Sequence, residues 1–373
     1  MNQSNKMKPE TERKSQNKEK NLVESRVKPG IRSLSAYSVP SVAASVRLDG
    51  NESPFSLPPE VSEKVTAAVK NIDVNRYPDP EANVLREKIS EVSNFPQEGI
   101  LLGNGSDELI GMLITTFSGG TGRVLYPVPT FSMYGISGLA LGAEPLEVDL
   151  DGGFDIDIER TTELIEQQDP DLIFLASPNN PTGNVFSADR IKEIIRVSRG
   201  IVVVDEAYSD FSGYTFLPMI EEHENLVILR TLSKVGFAGL RLGILYGRDG
   251  LVHEINKVRY PYNINSLSQG VAEVVLGNHE FVSENIQLII RERQRVFRTL
   301  ADMQGIEPYR SDANFILFKA ATADSVFEGL IERDILIRNF NKPGRLENCL
   351  RVTIGTPEEN DRFLDALREI LSS

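Results

Sequence analysis

The 373-residue sequence contains little cysteine and histidine and no tryptophan, and these scarcities exclude several kinds of site. Its one cysteine, Cys349, cannot form an internal disulfide, which is typical of a reducing compartment. The three histidines, His223, His253 and His279, lie far apart without the spacing of metal ligands, so we expect no metal centre. No apolar run approaches the roughly 18 residues that cross a bilayer. These absences predict a cytoplasmic protein without a membrane partner.

Positive charge is also in deficit. Lysine and arginine together number 40 against 54 aspartates and glutamates, which leaves a formal net charge of −14 at pH 7. Because nucleic-acid contacts require a basic face, we expect no nucleic-acid partner. The hydrophobic content of 40% and charged content of 25% are those of an ordinary globular protein. The length predicts two domains.

Residues 1–28 lack aromatic residues and any apolar segment. The stretch is rich in Lys, Glu, Asn, Gln and Ser, and its glutamates are unlike those of a signal or transit peptide. This composition predicts a disordered extension.

Short apolar stretches alternate with helical patterns through the middle of the chain. Such strands predict a parallel sheet with helices on both faces, in which ligands bind at the carboxyl ends of the strands. The stretches are Ile100–Leu102, Val124–Tyr126, Leu172–Ala176, Ile201–Val204 and Val227–Leu229. The candidate residues that follow them are Ser106, Phe131, Asn180, Asp205 and Lys234.

The pattern changes near the carboxyl terminus. Three strands are predicted, at Asn314–Lys319, Ile335–Asn339 and Leu350–Ile354, and the last helix opens with a capping box from Thr356 to Glu359. A second, smaller domain therefore follows the sheet domain.

The segment from Arg230 to Arg241 combines a lysine with phosphate-binding side chains. An unprotonated amine such as that of Lys234 can attack a carbonyl. The hydroxyls of Thr231 and Ser233 and the guanidinium of Arg241 suit a phosphate. Pyridoxal phosphate carries both an aldehyde and a phosphate, and it is the cofactor that this segment indicates. The alternative is a surface Ser-Lys pair in a glycine-bearing loop.

Two further motifs bear on this choice. The turn Gly103–Glu108 joins a strand to a helix, whose first N–H groups favour an anion, although Ser106 could be only an N-cap. Asp205 ends a valine run, where it could pair with a pyridinium nitrogen or bind magnesium as a Walker-B carboxylate. The missing P-loop argues against magnesium.

With these motifs in order, the chain from about Leu34 onward resembles the fold-type I pyridoxal-phosphate aminotransferases, and within them the histidinol-phosphate aminotransferases. The motifs are Asp49–Pro54, Arg76–Pro80, Gly105–Glu108, Ser177–Gly183, Asp205–Tyr208, Thr231–Lys234 and Leu350–Gly355. The resemblance implies an α/β fold of the pyridoxal-phosphate-dependent transferases, in which a mostly parallel seven-stranded sheet lies between helices beside a smaller α+β domain. It divides the chain into a segment packing with the small domain (29–55), a large cofactor-binding domain (56–265) and a small domain (266–373).

The resemblance also implies a role for each candidate residue. Lys234 would bind the cofactor's aldehyde covalently and transfer protons, and Asp205 would pair with the ring nitrogen. Tyr208 and Asn180 would bind the phenolic oxygen, while Phe131 would stack on the ring or simply pack in the interior. The groups implied for the phosphate are the backbone N–H groups of Ser106 and Asp107, the hydroxyls of Thr231 and Ser233, and Arg241.

Other implied residues lie outside the sheet edge. Tyr77 would reach the phosphate of a neighbouring subunit, which implies a homodimer; the alternative is that it packs on its own chain. Arg351 would receive the substrate's anionic group and, with Arg338, would suit a dianionic phosphate. Surface ion pairs are the alternative for both arginines. Tyr37 and Asn51 match amino-terminal positions that close over the substrate.

The activity implied is that of a histidinol-phosphate:2-oxoglutarate aminotransferase in histidine biosynthesis. It would interconvert histidinol phosphate and imidazole acetol phosphate with 2-oxoglutarate and glutamate as the second pair. Alternatives are an aromatic amino-acid aminotransferase, a phospho-amino-acid decarboxylase of the same fold, and a non-catalytic regulator. The presence of both Lys234 and Asp205, without a helix-turn-helix pattern, argues against the regulator.

Overall fold

The computed structural model describes residue 22, residues 25–36 and residues 43–372. Described residues up to position 40 belong to one compact unit, which contains helix α1 (Pro29–Arg32), and those beyond it belong to another. Most of the predicted disordered extension, and Tyr37, lie outside the described residues. All that follows concerns the second unit.

The larger sheet has seven strands in the order β2-β8-β7-β6-β5-β3-β4. All of them run parallel except β8, which is antiparallel to both of its neighbours. This arrangement confirms the predicted fold class. The strands of this part of the chain are β1 (Val46–Arg47), which lies outside this sheet, β2 (Ile100–Asn104), β3 (Arg123–Val128), β4 (Glu144–Asp149), β5 (Leu172–Ala176), β6 (Ile201–Asp205), β7 (Leu226–Thr231) and β8 (Leu242–Tyr246).

Hydrophobic cores cover both faces of this sheet. Along β6, Val202 and Val204 pack into the core on one face and Val203 into the core on the other. Each such fully buried aliphatic side chain contributes about 1.5–3 kcal/mol, so an uninterrupted apolar strand is stable only between two layers. The helices of this part of the chain are α2 (Pro59–Lys70), α3 (Asn83–Ser93), α4 (Ser106–Phe117), α5 (Met133–Leu141), α6 (Ile158–Gln168), α7 (Ala188–Val197), α8 (Ser209–Ser212), α9 (Asp249–Asn256) and α10 (Ser266–Leu276).

A second, four-stranded antiparallel sheet follows, in the order β12-β13-β10-β9. It packs on a third hydrophobic core, which includes Phe315, Phe318 and Phe363 and also Tyr208 and Phe237 from the preceding part of the chain. The elements are α11 (Glu280–Ala301), β9 (Ile306–Pro308), β10 (Phe315–Ala320), α12 (Ala323–Glu332), β11 (Ile335–Leu336), β12 (Arg338–Asn339), β13 (Cys349–Thr353) and α13 (Pro357–Ser372). The exact boundaries given above for the large and small domains stay a prediction.

The prediction of one strand over Ile335–Asn339 is wrong, because the chain changes partners within it. β11 pairs in parallel with β1, whereas β12 pairs antiparallel with β13. The buried Ile337 lies between the two short strands. This change of sheet brings Arg338 directly opposite Arg351.

The start of α13 confirms the predicted capping box. The backbone N–H of Thr356 donates to Glu359 Oε2 at 2.8 Å, and the N–H of Glu359 donates to Thr356 Oγ1 at 3.2 Å. In the described part of the chain, no helix is both long and apolar enough to cross a membrane.

Candidate active site

Three loops meet at one edge of the large sheet. Asp205, the last residue of β6, pairs in register with Ala176 of β5 and Leu229 of β7. Lys234 closes a 3-10 turn, Leu232–Lys234, directly after β7. Because these strands are parallel neighbours, the residues that follow them lie along the same edge, which is where α/β proteins bind ligands.

Asp205 is a buried carboxylate with two hydrogen-bond donors. Its Oδ2 accepts from the hydroxyl of Tyr134 at 2.7 Å, and its Oδ1 accepts from the N–H of Ala207 at 3.1 Å. Burial raises the pKa of Asp205 to about 6, while the Tyr134 hydrogen bond opposes that rise. Among the described residues, no lysine, arginine or histidine forms an ion pair with it. A buried carboxylate of this kind is stabilised by a cationic group of a ligand.

Lys234 is partly buried, and its Nζ lies 5.7 Å from the centre of the Tyr208 ring. Within the described part of the chain, this amine has no hydrogen bond or ion pair. An amine beside an aromatic ring, without a carboxylate partner, is suited to attack a carbonyl carbon.

Tyr208 is held by the amino-terminal segment. Its hydroxyl accepts a hydrogen bond from Asn51 Nδ2 at 2.9 Å, and its ring packs edge-on against Phe315. Asn51 is buried in a left-handed conformation, and its N–H donates to Thr353 Oγ1 at 3.0 Å. The predicted role of Asn51 in closing over the substrate stays a prediction, since the structure brings its side chain to Tyr208.

The amino terminus of α4 forms one wall of a cradle for an anion. Gly105, and not Ser106, is the N-cap, and no side chain caps this end. The first N–H groups of a helix, here those of Ser106 and Asp107, have no acceptor within the helix. Gly243 of β8 lies beside them, because a Cβ at this position would stand 2.5 Å from the Ser106 nitrogen. The cradle therefore requires glycine at position 243.

The end of β7 and the segment after it supply the other wall. Register pairs Thr231 with Gly243, and the hydroxyl oxygens of Thr231 and Ser233 lie 2.9 Å apart. Arg241 Nη2 lies 3.3 Å from Asp107 Oδ2, in an ion pair that is about half exposed. Exposed pairs of this kind contribute little, so an anion can compete for the guanidinium. The structure thus brings together all five groups predicted to bind a phosphate.

Arg351 and Arg338 face each other across the pair of strands β12 and β13. Arg351 Nη1 donates to Asn180 Oδ1 at 2.6 Å, and its guanidinium carbon lies 5.3 Å from the centre of the Phe340 ring. The guanidinium carbon of Arg338 lies 6.0 Å from the same ring. Like charges directly opposite each other are unfavourable, and an anionic ligand between them would offset the repulsion.

The Phe131 loop is tied to the Asn180 loop. The hydroxyl of Thr130 donates to Asn179 Oδ1 at 2.6 Å, and Asn179 Nδ2 donates to the carbonyl of Pro129 at 2.9 Å. Phe131 contacts Tyr134 edge to face, with ring centres 5.6 Å apart. Fully buried Asn179 therefore sets the position of two predicted site residues at once.

Tyr77 stands on the surface rather than in this cradle. It is 80% exposed and stacks on Tyr262, with ring centres 4.4 Å apart. Its predicted role toward a neighbouring subunit stays a prediction.

Sequence reasoning missed three residues that shape the site: Tyr134, Asn179 and Gly243. Tyr134 follows Phe131 by three positions, which is about one helical turn, and this spacing could have indicated it. Asn179 lies inside the Ser177–Gly183 motif beside Asn180. Nothing in the local sequence around Gly243 reveals that α4 approaches it.

Comparison with known proteins identifies the family. Residues 44–367 match the model of the family described as aminotransferase class I and II. The histidinol-phosphate aminotransferase of Aquifex aeolicus (strain VF5) is 45% identical over 346 residues, which cover 92% of this chain and 97% of the relative. The enzyme of the same name from Caldanaerobacter subterraneus subsp. tengcongensis is 42% identical over 352 residues, which cover 94% of this chain and 100% of the relative.

A solved structure supports the same relationship. The crystal structure of histidinol-phosphate aminotransferase from Sinorhizobium meliloti in complex with pyridoxal-5'-phosphate matches this fold with a TM-score of 0.84. It is 25% identical, and the match covers 93% of this chain and 98% of that one. This chain belongs to the aminotransferase class I and II family.

Proposed function

We propose that this protein is a pyridoxal-phosphate-dependent histidinol-phosphate:2-oxoglutarate aminotransferase. The observation that carries the proposal is one sheet edge that holds an amine, a buried carboxylate without a cationic partner among the described residues, and an anion cradle. The names of the relatives described above support the same substrate.

These residues fit pyridoxal phosphate. Asp205 would pair with the protonated ring nitrogen, Lys234 would hold the aldehyde carbon, and the cradle between α4 and the Thr231–Ser233 turn would hold the phosphate. Phe131 would pack on the ring, and Tyr208 with Asn180 would bind its phenolic oxygen. When bound, the cofactor supplies an aldehyde that accepts the amino group and a ring that withdraws electrons from the neighbouring carbon.

The chain's own groups orient the substrate and move the proton. Once the substrate's amine has displaced it from the aldehyde carbon, the Nζ of Lys234 would take the proton from the substrate Cα as a general base and return it to that aldehyde carbon as a general acid. Asp205 would keep its negative charge to pair with the ring nitrogen, and Asn51 holds the Tyr208 hydroxyl in place. Arg351, fixed by Asn180, sets where the substrate's anionic group lies.

The paired arginines favour a phosphorylated substrate. Two guanidinium groups opposite each other, both near the Phe340 ring, match the two charges of a phosphate better than the single charge of a carboxylate. Histidinol phosphate carries such a group, as a phosphate ester on the carbon next to the one that bears the transferred amine. Glutamate and 2-oxoglutarate form the second substrate pair.

A homodimer with shared sites is part of the proposal. Tyr77, which is 80% exposed and stacked on Tyr262, would contact the cofactor phosphate of the partner subunit. Tyr260, 77% exposed, adds to the aromatic surface available to a second copy. The lone cysteine supports a cytoplasmic location.

The experiment is a panel of half-reactions with the purified holoenzyme. Histidinol phosphate, phenylalanine and O-phosphothreonine are mixed separately with it, and the conversion of the bound aldehyde to the amine form is followed by absorbance. We expect histidinol phosphate to convert the enzyme most efficiently, and O-phosphothreonine to release no carbon dioxide. Faster conversion by phenylalanine would indicate an aromatic aminotransferase, and carbon dioxide from O-phosphothreonine would indicate a decarboxylase; either result contradicts the proposal.

A further inference from the structure

Tyr134 is the buried neighbour of Asp205 that the mechanism above leaves unused. Its ring lies parallel to Phe174, with centres 4.6 Å apart and planes at 4°, and edge-on to Phe131. The side chain is completely buried, and its hydroxyl donates to Asp205 Oδ2 at 2.7 Å. The hydroxyl of Tyr134 therefore has one hydrogen-bond partner among the described residues, and that partner is the candidate cofactor-binding carboxylate.

Packing alone does not account for this tyrosine. Phenylalanine would fill the same stack on Phe174, and a buried hydroxyl is tolerated only where it finds a partner. Tyr126 offers a comparison on the same sheet face, since it is also buried and also donates to a carboxylate, that of Glu147, at 3.0 Å. Glu147 is exposed and Asp205 is buried, so of these two tyrosines it is Tyr134 that offsets the loss of solvation of a buried charge.

We propose that Tyr134 is a positioning residue, which holds Asp205 ionised and in a single orientation and thereby sets the lower pH limit of cofactor binding. The inference rests on the proposed function, because it requires Asp205 to pair with the ring nitrogen of pyridoxal phosphate. With Tyr134 on Oδ2 and the Ala207 N–H on Oδ1, both carboxylate oxygens are fixed while each retains an acceptor site.

The surroundings of Asp205 make this hydrogen bond decisive near neutral pH. Burial raises the pKa of Asp205 to about 6, and the negative charges of Asp107 and Glu206 act in the same direction. Each of these carboxylates has its own cation, Arg241 at 3.3 Å and Arg230 at 2.9 Å. The Tyr134 hydroxyl and the Ala207 N–H oppose that rise in the pKa, and the tyrosine has the larger effect.

The ionisation of Tyr134 itself does not contribute to the pH dependence of cofactor binding. Burial, together with the charge of Asp205 and the nearby Tyr208, raises the pKa of the Tyr134 phenol well above its ordinary value. Tyr134 is thus a neutral donor over the whole working range. Loss of a hydrogen bond to a charged group shifts a pKa by about one unit, so removal of this hydroxyl should move the protonation of Asp205 upward by that amount.

The test uses Tyr134→Phe, which removes one oxygen atom and keeps the stack on Phe174. Full-length apoenzyme is titrated with pyridoxamine 5'-phosphate, which has the ring and phosphate but no aldehyde for Lys234, between about pH 5.5 and about pH 8.5. Tyr126→Phe is the matched control, and Asp205→Asn reports on the carboxylate. Circular dichroism confirms that each variant is folded.

We expect the acid-side loss of affinity to begin about one pH unit higher in Tyr134→Phe, with about fivefold weaker binding near pH 6 and little change at the alkaline end. Tyr126→Phe should match the wild type. A Tyr134→Phe curve that superimposes on the wild type, or that is weakened equally at every pH, overturns the positioning role and leaves the proposed function intact. A wild-type pH dependence that persists in Asp205→Asn overturns both the inference and the assignment of Asp205.

Discussion

At the scale of single residues, the carboxylate of Asp205 has a desolvation cost that the contacts within the folded chain do not fully offset. Its carboxylate is buried at the end of β6, where two hydrogen bonds offset only part of the lost solvation. A protonated ring nitrogen would supply the missing positive charge. Cofactor binding and protein stability are therefore linked at this one residue.

This link predicts a pH-dependent stability of the apoenzyme. The pKa of Asp205 is raised from 3.8 to about 6, so between these values the folded state retains a proton that the unfolded state releases. The contribution of Asp205 to the free energy of unfolding should fall by about 3 kcal/mol as the pH rises through this window and stay low above it. Urea unfolding of the apoenzyme at several pH values, with Asp205→Asn as reference, measures the difference. A difference that does not change with pH would contradict this account.

From strand patterns, a residue could be assigned to the site only where its position at the end of a strand determines its location. Asp205 and Lys234 follow apolar strands of a parallel sheet, and that position alone brings them to one edge. The contact between Tyr134 and Asp205 joins residues 71 positions apart, and that between Asn51 and Tyr208 joins residues 157 apart. Such pairs depend on how helices and loops pack, which local patterns do not encode.

At the scale of secondary structure, the antiparallel strand β8 determines the shape of the phosphate cradle. It follows the Lys234 turn with only a short 3-10 turn, Ala238–Leu240, in between, and it places Gly243 between Gly103 of β2 and Thr231 of β7. The alternation of strands and helices did not predict β8, because a strand that returns beside its predecessor after a short turn lacks the usual crossover helix. Its glycine lets the first turn of α4 approach the sheet.

Gly243→Ala should therefore weaken the affinity for pyridoxal phosphate and destabilise the protein by about 1–3 kcal/mol, since the added Cβ would meet backbone atoms at 2.5 Å. The matched control is Gly111→Ala within α4, where an added Cβ meets nothing within 4 Å. This control should gain roughly 0.5–1 kcal/mol from helix propensity. Urea unfolding measures the stability of the two variants, and cofactor titration measures their affinity for pyridoxal phosphate. Equal behaviour of the two variants would show that α4 does not need this close approach.

The arginine pair on β12 and β13 gives a prediction about substrate choice. Arg338→Gln should raise the KM for histidinol phosphate about tenfold and change that for phenylalanine much less, because it removes a charge-assisted contact to the phosphate. The apoenzyme should not lose stability, since the change relieves repulsion from Arg351 across the strands.

Arg333→Gln is the control for this measurement, because Arg333 pairs with Glu369 at 3.2 Å between two helices. In steady-state kinetics with both substrates, Arg333→Gln should have the KM values of the wild type. An equal rise in KM for both substrates in Arg338→Gln would mean that this arginine does not recognise the phosphate.

At the scale of the whole molecule, the seven-stranded sheet and the second antiparallel sheet were predictable in outline from strand patterns and family resemblance. The association of subunits depends on surface residues, whose partners no single chain contains. The proposed contact between subunits is based on the exposed stack of Tyr77 on Tyr262.

Tyr77→Phe should lower the affinity for pyridoxal phosphate several-fold, about the effect of losing one hydrogen bond to a charged group, without changing the oligomeric state. Tyr260→Phe, at a similarly exposed position, should leave the affinity unchanged. Equilibrium dialysis and sedimentation velocity provide the two measurements. A monomeric wild-type protein, or unchanged affinity in Tyr77→Phe, would contradict a shared site.

The most direct test of the central claim is to locate the covalent attachment of the cofactor. Holoenzyme is reduced with borohydride, digested, and mapped by mass spectrometry, with Lys234→Ala treated in parallel. If Lys234 binds the cofactor covalently, one pyridoxyl-phosphate label is expected, on the peptide that contains Lys234, and no label in the variant. A label on another lysine, or the same label in Lys234→Ala, would contradict it.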